Sequence, residues 1–146
     1  MVKGRQVYFN GNFVPENEAK ISIFDSALMF GDMVFEMTRS FNKKQFKLRE
    51  HLERLYTGIN ILHIPLKMTI DELEKICYET IERNDQVFDI HDEHRLMINV
   101  SRGPLGIYAP VFDGKIFCLL HFIVTQTLLP LIMDFSWKKI FNFGLQ

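Results

Sequence analysis

The chain has 146 residues, enough for one compact domain and short for two. It is 47% hydrophobic and 24% charged, with fourteen Phe, which excludes a disordered tail or a collagen-like polymer. Seventeen Lys and Arg against eighteen Asp and Glu leave a net charge of −1, so no global field draws the chain to nucleic acid or a lipid surface.

In chain order, residues 6–14 read QVYFNGNFV, two β-forming runs around Asn10-Gly11. That dipeptide is a strong hairpin signal, because a type I′ turn needs φ > 0 at both central positions. Residues 19–24 suit a short extended arm, and 25–32 a loop or single helical turn. Residues 34–41 and 45–48 flank Asn42, Lys43 and Lys44 as a second hairpin. Over 49–62, Leu52, Leu55, Ile59 and Leu62 recur at helical spacing and predict an amphipathic helix ended by Pro65. Thr69 opens a second helix, and Glu72 completes a capping box with it. Residues 95–101, RLMINVS, read as a strand. Strands, two consecutive helices, then strands point to an α+β two-layer domain, an antiparallel sheet with two helices.

The last segment differs from the rest. Of the charged residues, only Asp134, Lys138 and Lys139 lie in 116–146. A membrane span is a poor reading: His121, Thr125, Gln126 and Thr127 interrupt the apolar run, and Pro130 would kink it. One or two buried strands is the expectation. Cys77 and Cys118 form no CxxC pair, and the N-terminus has no apolar stretch before a cleavage site. A reducing, cytoplasmic setting is therefore expected.

Motifs read by chemistry alone are few. There is no GxGxxG, no GxxxxGK[ST] and no GxSxG. His91, Asp92, Glu93 and His94 form a metal-capable run, yet adjacent residues rarely converge on one ion, so a solvated connection is expected. Asp25 and Asp32 suit capping or turn roles better than a pair of catalytic acids. Arg54, beside the first helix's apolar stripe, either snorkels to solvent or grips a phosphate with its fork. Arg102, before Gly103-Pro104, is either a surface arginine or a carboxylate receptor.

The run YFNGNFVPENEAKISIFDSALMFGDMVFEMTRSFNKKQFKLREHLERL resembles the opening of the class IV, fold type IV, pyridoxal-phosphate enzymes. These comprise branched-chain amino acid aminotransferases, D-amino acid aminotransferases and aminodeoxychorismate lyases. SRGPLGIYAP continues the likeness, which covers about residues 6–113. It implies that Arg54, in HLERL, binds the 5′-phosphate of pyridoxal 5′-phosphate. It implies that Phe35, beside Glu36, lines the substrate pocket, with Arg39 near its rim. Arg95 aligns with a pocket arginine of branched-chain enzymes, and Arg102 with a carboxylate-holding arginine of the D-amino acid branch. A homodimer is implied, because the family completes its pocket across a dimer interface. The activity implied is amino transfer between a branched-chain L-amino acid and 2-oxoglutarate, with aminodeoxychorismate lyase or a D-amino acid aminotransferase relative as alternatives. No nucleic acid or membrane partner is expected.

The departures are informative. Glu93 stands where branched-chain members often carry Tyr, and PLGIYAP has neither the Arg nor the His of the D-amino acid branch. The family also needs a lysine that forms a Schiff base, roughly a hundred residues beyond the HLxRL arginine. Counting from Arg54 passes residue 146, and FSWKKIFNF around Lys138 and Lys139 resembles nothing near that lysine. The expected organisation is thus a small N-terminal domain at 1–115, an atypical apolar tail at 116–146 and no C-terminal cofactor domain. Such a truncated chain is expected to be inactive by itself, and a non-catalytic dimerising domain is the alternative of another class.

Overall fold

A computed structural model of the chain describes residues 4–89, 92–107 and 121–128. Asn10 (φ 49°) and Gly11 (φ 96°) both adopt left-handed backbone, and β1 (Gln6–Phe9) and β2 (Asn12–Pro15) pair antiparallel around them, as the dipeptide predicts. One 3-10 turn, Glu16–Glu18, follows β2, and residues 19–24 lead from it to α1 (Ser26–Phe30). Asp25 caps α1, its Oδ1 accepting from the Ala27 N–H at 2.8 Å, so the capping role expected of it holds.

The second hairpin turns on Asn42 (φ 49°) and Lys43 (φ 64°), joining β3 (Met33–Phe41) to β4 (Lys44–Gln45). The returning strand is shorter than expected. Lys47 enters left-handed backbone (φ 50°), and α2 (Leu48–Ile61) starts at once, absorbing Leu48 into the helix. Leu48, Leu52, Leu55 and Ile59 form its buried stripe. In α3 (Ile70–Asn84) the capping box is present as predicted: Thr69 Oγ1 accepts from the Glu72 N–H, and the Glu72 carboxylate accepts from the Thr69 N–H at 2.7 Å. Leu73, Cys77, Thr80 and Asn84 are its buried positions.

β5 (His94–Ser101) and β6 (His121–Leu128) complete a six-stranded sheet of order β2-β1-β6-β5-β3-β4, antiparallel at every pairing. β6 lies between β1 and β5 and pairs with β5 from His94–Leu128 to Ser101–His121. The sheet thus takes in part of the 116–146 segment that the sequence sets apart. Cys118, Lys138 and Lys139 lie outside the described residues.

Both long helices pack on one face of the sheet, α2 against β3 and α3 against β1 and β6. Leu52, Leu55, Leu73, Cys77, Leu96, Ile98 and Val100 close the core between the layers, each at most 1% exposed. Burying a side chain of this size contributes about 1.5–3 kcal/mol. Gly58 sets the approach of α2 to β3, since a Cβ there would stand 2.9 Å from Val34 Cγ1. The architecture is the α+β two-layer domain that the element order predicts. Among the described residues, no helix is long and apolar enough to cross a membrane.

Candidate functional site

Strand alternation sorts the candidate residues. On β3, Glu36, Thr38 and Ser40 are buried beneath the helices, while Phe35, Met37, Arg39 and Phe41 emerge on the uncovered face. On β5, Leu96, Ile98 and Val100 lie on the covered side, and Arg95, Met97 and Asn99 alternate with them. The register pairs Phe35 with Asn99, Met37 with Met97 and Arg39 with Arg95. Three residues singled out in the sequence, Phe35, Arg39 and Arg95, are therefore brought to one face.

That face is graded along the strands. Phe35, 57% exposed, stands at one end, and the arginine pair stands four residues away, about 13 Å at the rise of a strand. Two cations on one rung repel each other unless something neutralises them. Arg39 lies over the Phe41 ring, 4.3 Å from its centroid, and Arg95 Nε is buried with no hydrogen-bond partner. Between the aromatic end and the cationic end sits the Met37–Met97 pair. The arrangement suits a small molecule with an apolar body and an anionic end.

Arg54 lies across β3 from this face. Its Nε donates to Glu36 Oε1 at 2.5 Å and its Nη2 to Oε2 at 2.7 Å. His51, one turn earlier on α2, brings Nδ1 within 2.7 Å of the same Oε2. A carboxylate only accepts, so that nitrogen carries the hydrogen. Burial pushes the Glu36 carboxyl up, but the bonds from Arg54 and His51 outweigh it and hold the group below the usual carboxylate range. The same carboxylate raises the Arg54 guanidinium further. Arg54 itself is 70% exposed, so the edge of its fork turned away from Glu36 is open to an anion.

Arg102 has a different surrounding. Its Nε and Nη2 donate to Asp32, Nη1 donates to the His63 carbonyl at 2.9 Å, and Nη2 also donates to the Leu62 carbonyl at 2.7 Å. It ties the end of β5 to the start of β3 and the end of α2. Seven residues from Arg95, about 23 Å along the strand, it does not reach the anion that Arg39 and Arg95 could share. Glu93 is likewise engaged: it accepts from Ser40 Oγ and, at 2.7 Å, from the Asn42 N–H, backing the left-handed turn. His94 corrects the expectation of a solvated HDEH run, because it opens β5 fully buried against Phe88. His91 lies outside the described residues, and among the described residues no group of His, Cys, Asp and Glu could hold a metal.

Sequence reading did not single out Glu36 and His51 as site residues. Alternation from Phe35 puts Glu36 on the helix side, where an ionised carboxylate demands partners. His51 and Arg54, three apart on α2, are the partners that a helix would supply. The Met37–Met97 rung needed the register, which no local signal gives.

The family model of amino-transferase class IV matches residues 33–123. A putative branched-chain-amino-acid aminotransferase of Methanocaldococcus jannaschii is 38% identical over 117 residues, 78% of this chain and 39% of that protein. A D-alanine aminotransferase of Staphylococcus haemolyticus is 30% identical over 131 residues, 90% of this chain and 40% of the relative. Among solved structures, the branched-chain amino acid aminotransferase from Escherichia coli matches with a TM-score of 0.68 at 25% identity, covering 86% of this chain and 41% of that one. The chain spans about two-fifths of the length of these relatives.

Proposed function

Because the chain belongs to the amino-transferase class IV family, we propose that it forms the small domain of a pyridoxal 5′-phosphate-dependent aminotransferase acting on branched-chain L-amino acids with 2-oxoglutarate as acceptor. The observation that carries this reading is the graded face of β3 and β5. Phe35 and the two methionines offer an apolar wall for a branched side chain, and Arg39 with Arg95 offers opposed cations for a carboxylate. Arg54 supplies a forked, exposed cation suited to a phosphate monoester, so its chemistry fits the cofactor's 5′-phosphate. When bound, the cofactor supplies a ring that accepts electron density from the substrate α-carbon. The residues of this chain bind and orient, and Arg102 is a brace that holds the end of β5, where β3 begins.

The proton-moving lysine has no counterpart that the sequence identifies in these 146 residues, so the 146-residue polypeptide alone is expected not to transaminate. A homodimer belongs to the same reading, and the exposed Leu28 and Phe30 of α1, with Ile23 just before it, are suited to burial against a second copy.

The D-amino acid branch is the second reading, favoured by the D-alanine aminotransferase relative that covers 90% of this chain. A graft separates the two. Replacing the matching 117 residues of the Methanocaldococcus jannaschii relative with those of this chain is expected to give a kcat/KM for L-leucine or L-valine at least about tenfold above that for D-alanine. A preference for D-alanine would install the second reading. In the unfused chain, borohydride reduction with pyridoxal 5′-phosphate should label no single lysine stoichiometrically. Full labelling of one lysine would overturn the expected inactivity.

A further inference from the structure

We infer that Glu36, held by His51, is a positioning residue that aims the Arg54 guanidinium at the phosphate it binds, an inference that rests on the cofactor reading above. The geometry is specific. Glu36 projects from the middle of β3 beneath α2, its side chain 6% exposed, while the arginine it holds is 70% exposed. An ion pair serving stability alone gains little from such a place, because desolvating a carboxylate offsets much of the attraction.

An arginine is planar with five N–H donors. Glu36 takes one edge, Nε and Nη2, through both of its oxygens. The edge formed by Nη1 and the second Nη2 hydrogen is left for an incoming anion. A side chain this exposed would otherwise sample many rotamers and lose that freedom on binding. Gripped from the side by a carboxylate on a rigid strand, it is already oriented. His51 fixes the carboxylate in turn: its Nδ1 meets Oε2 at 2.7 Å, and it lies 3.4 Å from Arg54 Nη2, so two donors converge on one oxygen. His51 is 22% exposed, far less than the arginine beside it.

Position and charge make opposite demands here, which gives the test its direction. Glu36 is negative and lies one side chain away from where a phosphate would sit. Removing that charge without changing shape should strengthen phosphate binding if Glu36 acts only through its field. It should weaken binding if Glu36 acts by aiming Arg54. The purified 146-residue chain is treated with phenylglyoxal, which modifies accessible arginines, and Arg54 is followed by peptide mass mapping. The reading is the concentration of pyridoxal 5′-phosphate, or of inorganic phosphate, that halves the modification rate. Expected is protection in the parent chain, with Glu36→Gln raising the half-protecting concentration about tenfold and His51→Leu raising it less. The His51→Leu chain also carries the test where Glu36→Gln does not fold, folding being checked by circular dichroism. Equal or better protection in a folded variant would overturn the positioning role and leave the cofactor reading standing. No protection of Arg54 in the parent chain would overturn both.

Discussion

The two faces of β3 invert the usual rule for a half-covered strand. The covered side carries Glu36, Thr38 and Ser40; the uncovered side carries Phe35, Met37, Arg39 and Phe41. On its neighbour β5, Leu96, Ile98 and Val100 line the covered side in the ordinary way. The difference is in how the polar groups are satisfied. Glu36 has Arg54 and His51, Thr38 Oγ1 donates to the Phe46 carbonyl at 2.7 Å, and Ser40 Oγ donates to Glu93. On the open side Arg39 faces Arg95 and Arg95 Nε is unmatched. Satisfied polar groups under the helices hold a shape, whereas an unmatched arginine nitrogen and exposed aromatic surface are features of a binding face.

The strongest test of that division compares truncations on the two sides. Leu52→Ala, under the helices and fully buried, should cost about 3 kcal/mol in chemical denaturation. Phe35→Ala, 57% exposed, should change stability by about 0.5 kcal/mol or less while lowering kcat/KM of the grafted enzyme. Equal losses of stability would mean that the open face is part of the core.

Asn84 sharpens the comparison from the other helix of the covered side. Its Nδ2 donates to the Gln6 and Thr80 carbonyls at 2.8 Å each, and its Oδ1 accepts from the Gln6 N–H at 2.8 Å. All of this lies in a fully buried side chain that latches α3 to β1. Asn84→Ala should cost about 2 kcal/mol, because it strands two backbone groups of Gln6, and the loss should appear as a lower urea midpoint.

What could be read in advance was local. The Asn10-Gly11 turn, the Thr69–Glu72 box and Asp25 as a cap each depend on residues within a few positions, and each stands as expected; of the α2 stripe, Leu52, Leu55 and Ile59 are buried, whereas Leu62 falls at the C-cap and is 38% exposed. The start of α2 was not legible, because Lys47 adopts left-handed backbone that its side chain does not advertise. The central place of β6 was not legible either: its pairing with β5 joins His94 to Leu128, a register that only the completed sheet fixes. At the candidate site, the resemblance named Phe35, Arg39, Arg54 and Arg95, while the shared face of Phe35, Arg39 and Arg95 came from the strand pairing. The occupation of Arg102 was hidden, since its acceptors at Leu62 and His63 come from about forty positions away.

His94 gives the covered side a dependence on pH. Burial lowers its imidazole from the ordinary value, Lys43 lowers it further, and Asp85, Glu93 and Asp92 offset part of this. A depressed group contributes stability that is present above its unfolded value, about 6.5, and lost as pH falls toward the folded value. Each proton taken up only on unfolding gives a slope of up to about 1.4 kcal/mol per pH unit. Unfolding free energy should therefore decline as pH falls below about 7, and His94→Gln should flatten that decline. Glu36, also depressed, adds a loss at lower pH, below about 4.3. A His94→Gln chain with an undiminished slope would assign the dependence to other groups.

A smaller loss than those under the helices is expected at Gly58, where the helix layer meets β3. Alanine in mid-helix normally gains about 1 kcal/mol over glycine. Here the added methyl would stand 2.9 Å from Val34 Cγ1 and 3.6 Å from its Cβ, and the nearer contact is too close to hold. Val34 is stiff at χ1, so relief must come from the helix moving off the strand. Overpacking of that kind costs about 1–3 kcal/mol, so Gly58→Ala should be net destabilising by about 1 kcal/mol. Shifting α2 also shifts Arg54, one turn earlier, relative to Glu36. Gly58→Ala should accordingly raise the phosphate concentration that protects Arg54, whereas Phe35→Ala on the open face should leave it unchanged. A stabilised Gly58→Ala chain would show that Val34 yields more readily than its branching implies, and that α2 rests on β3 with slack.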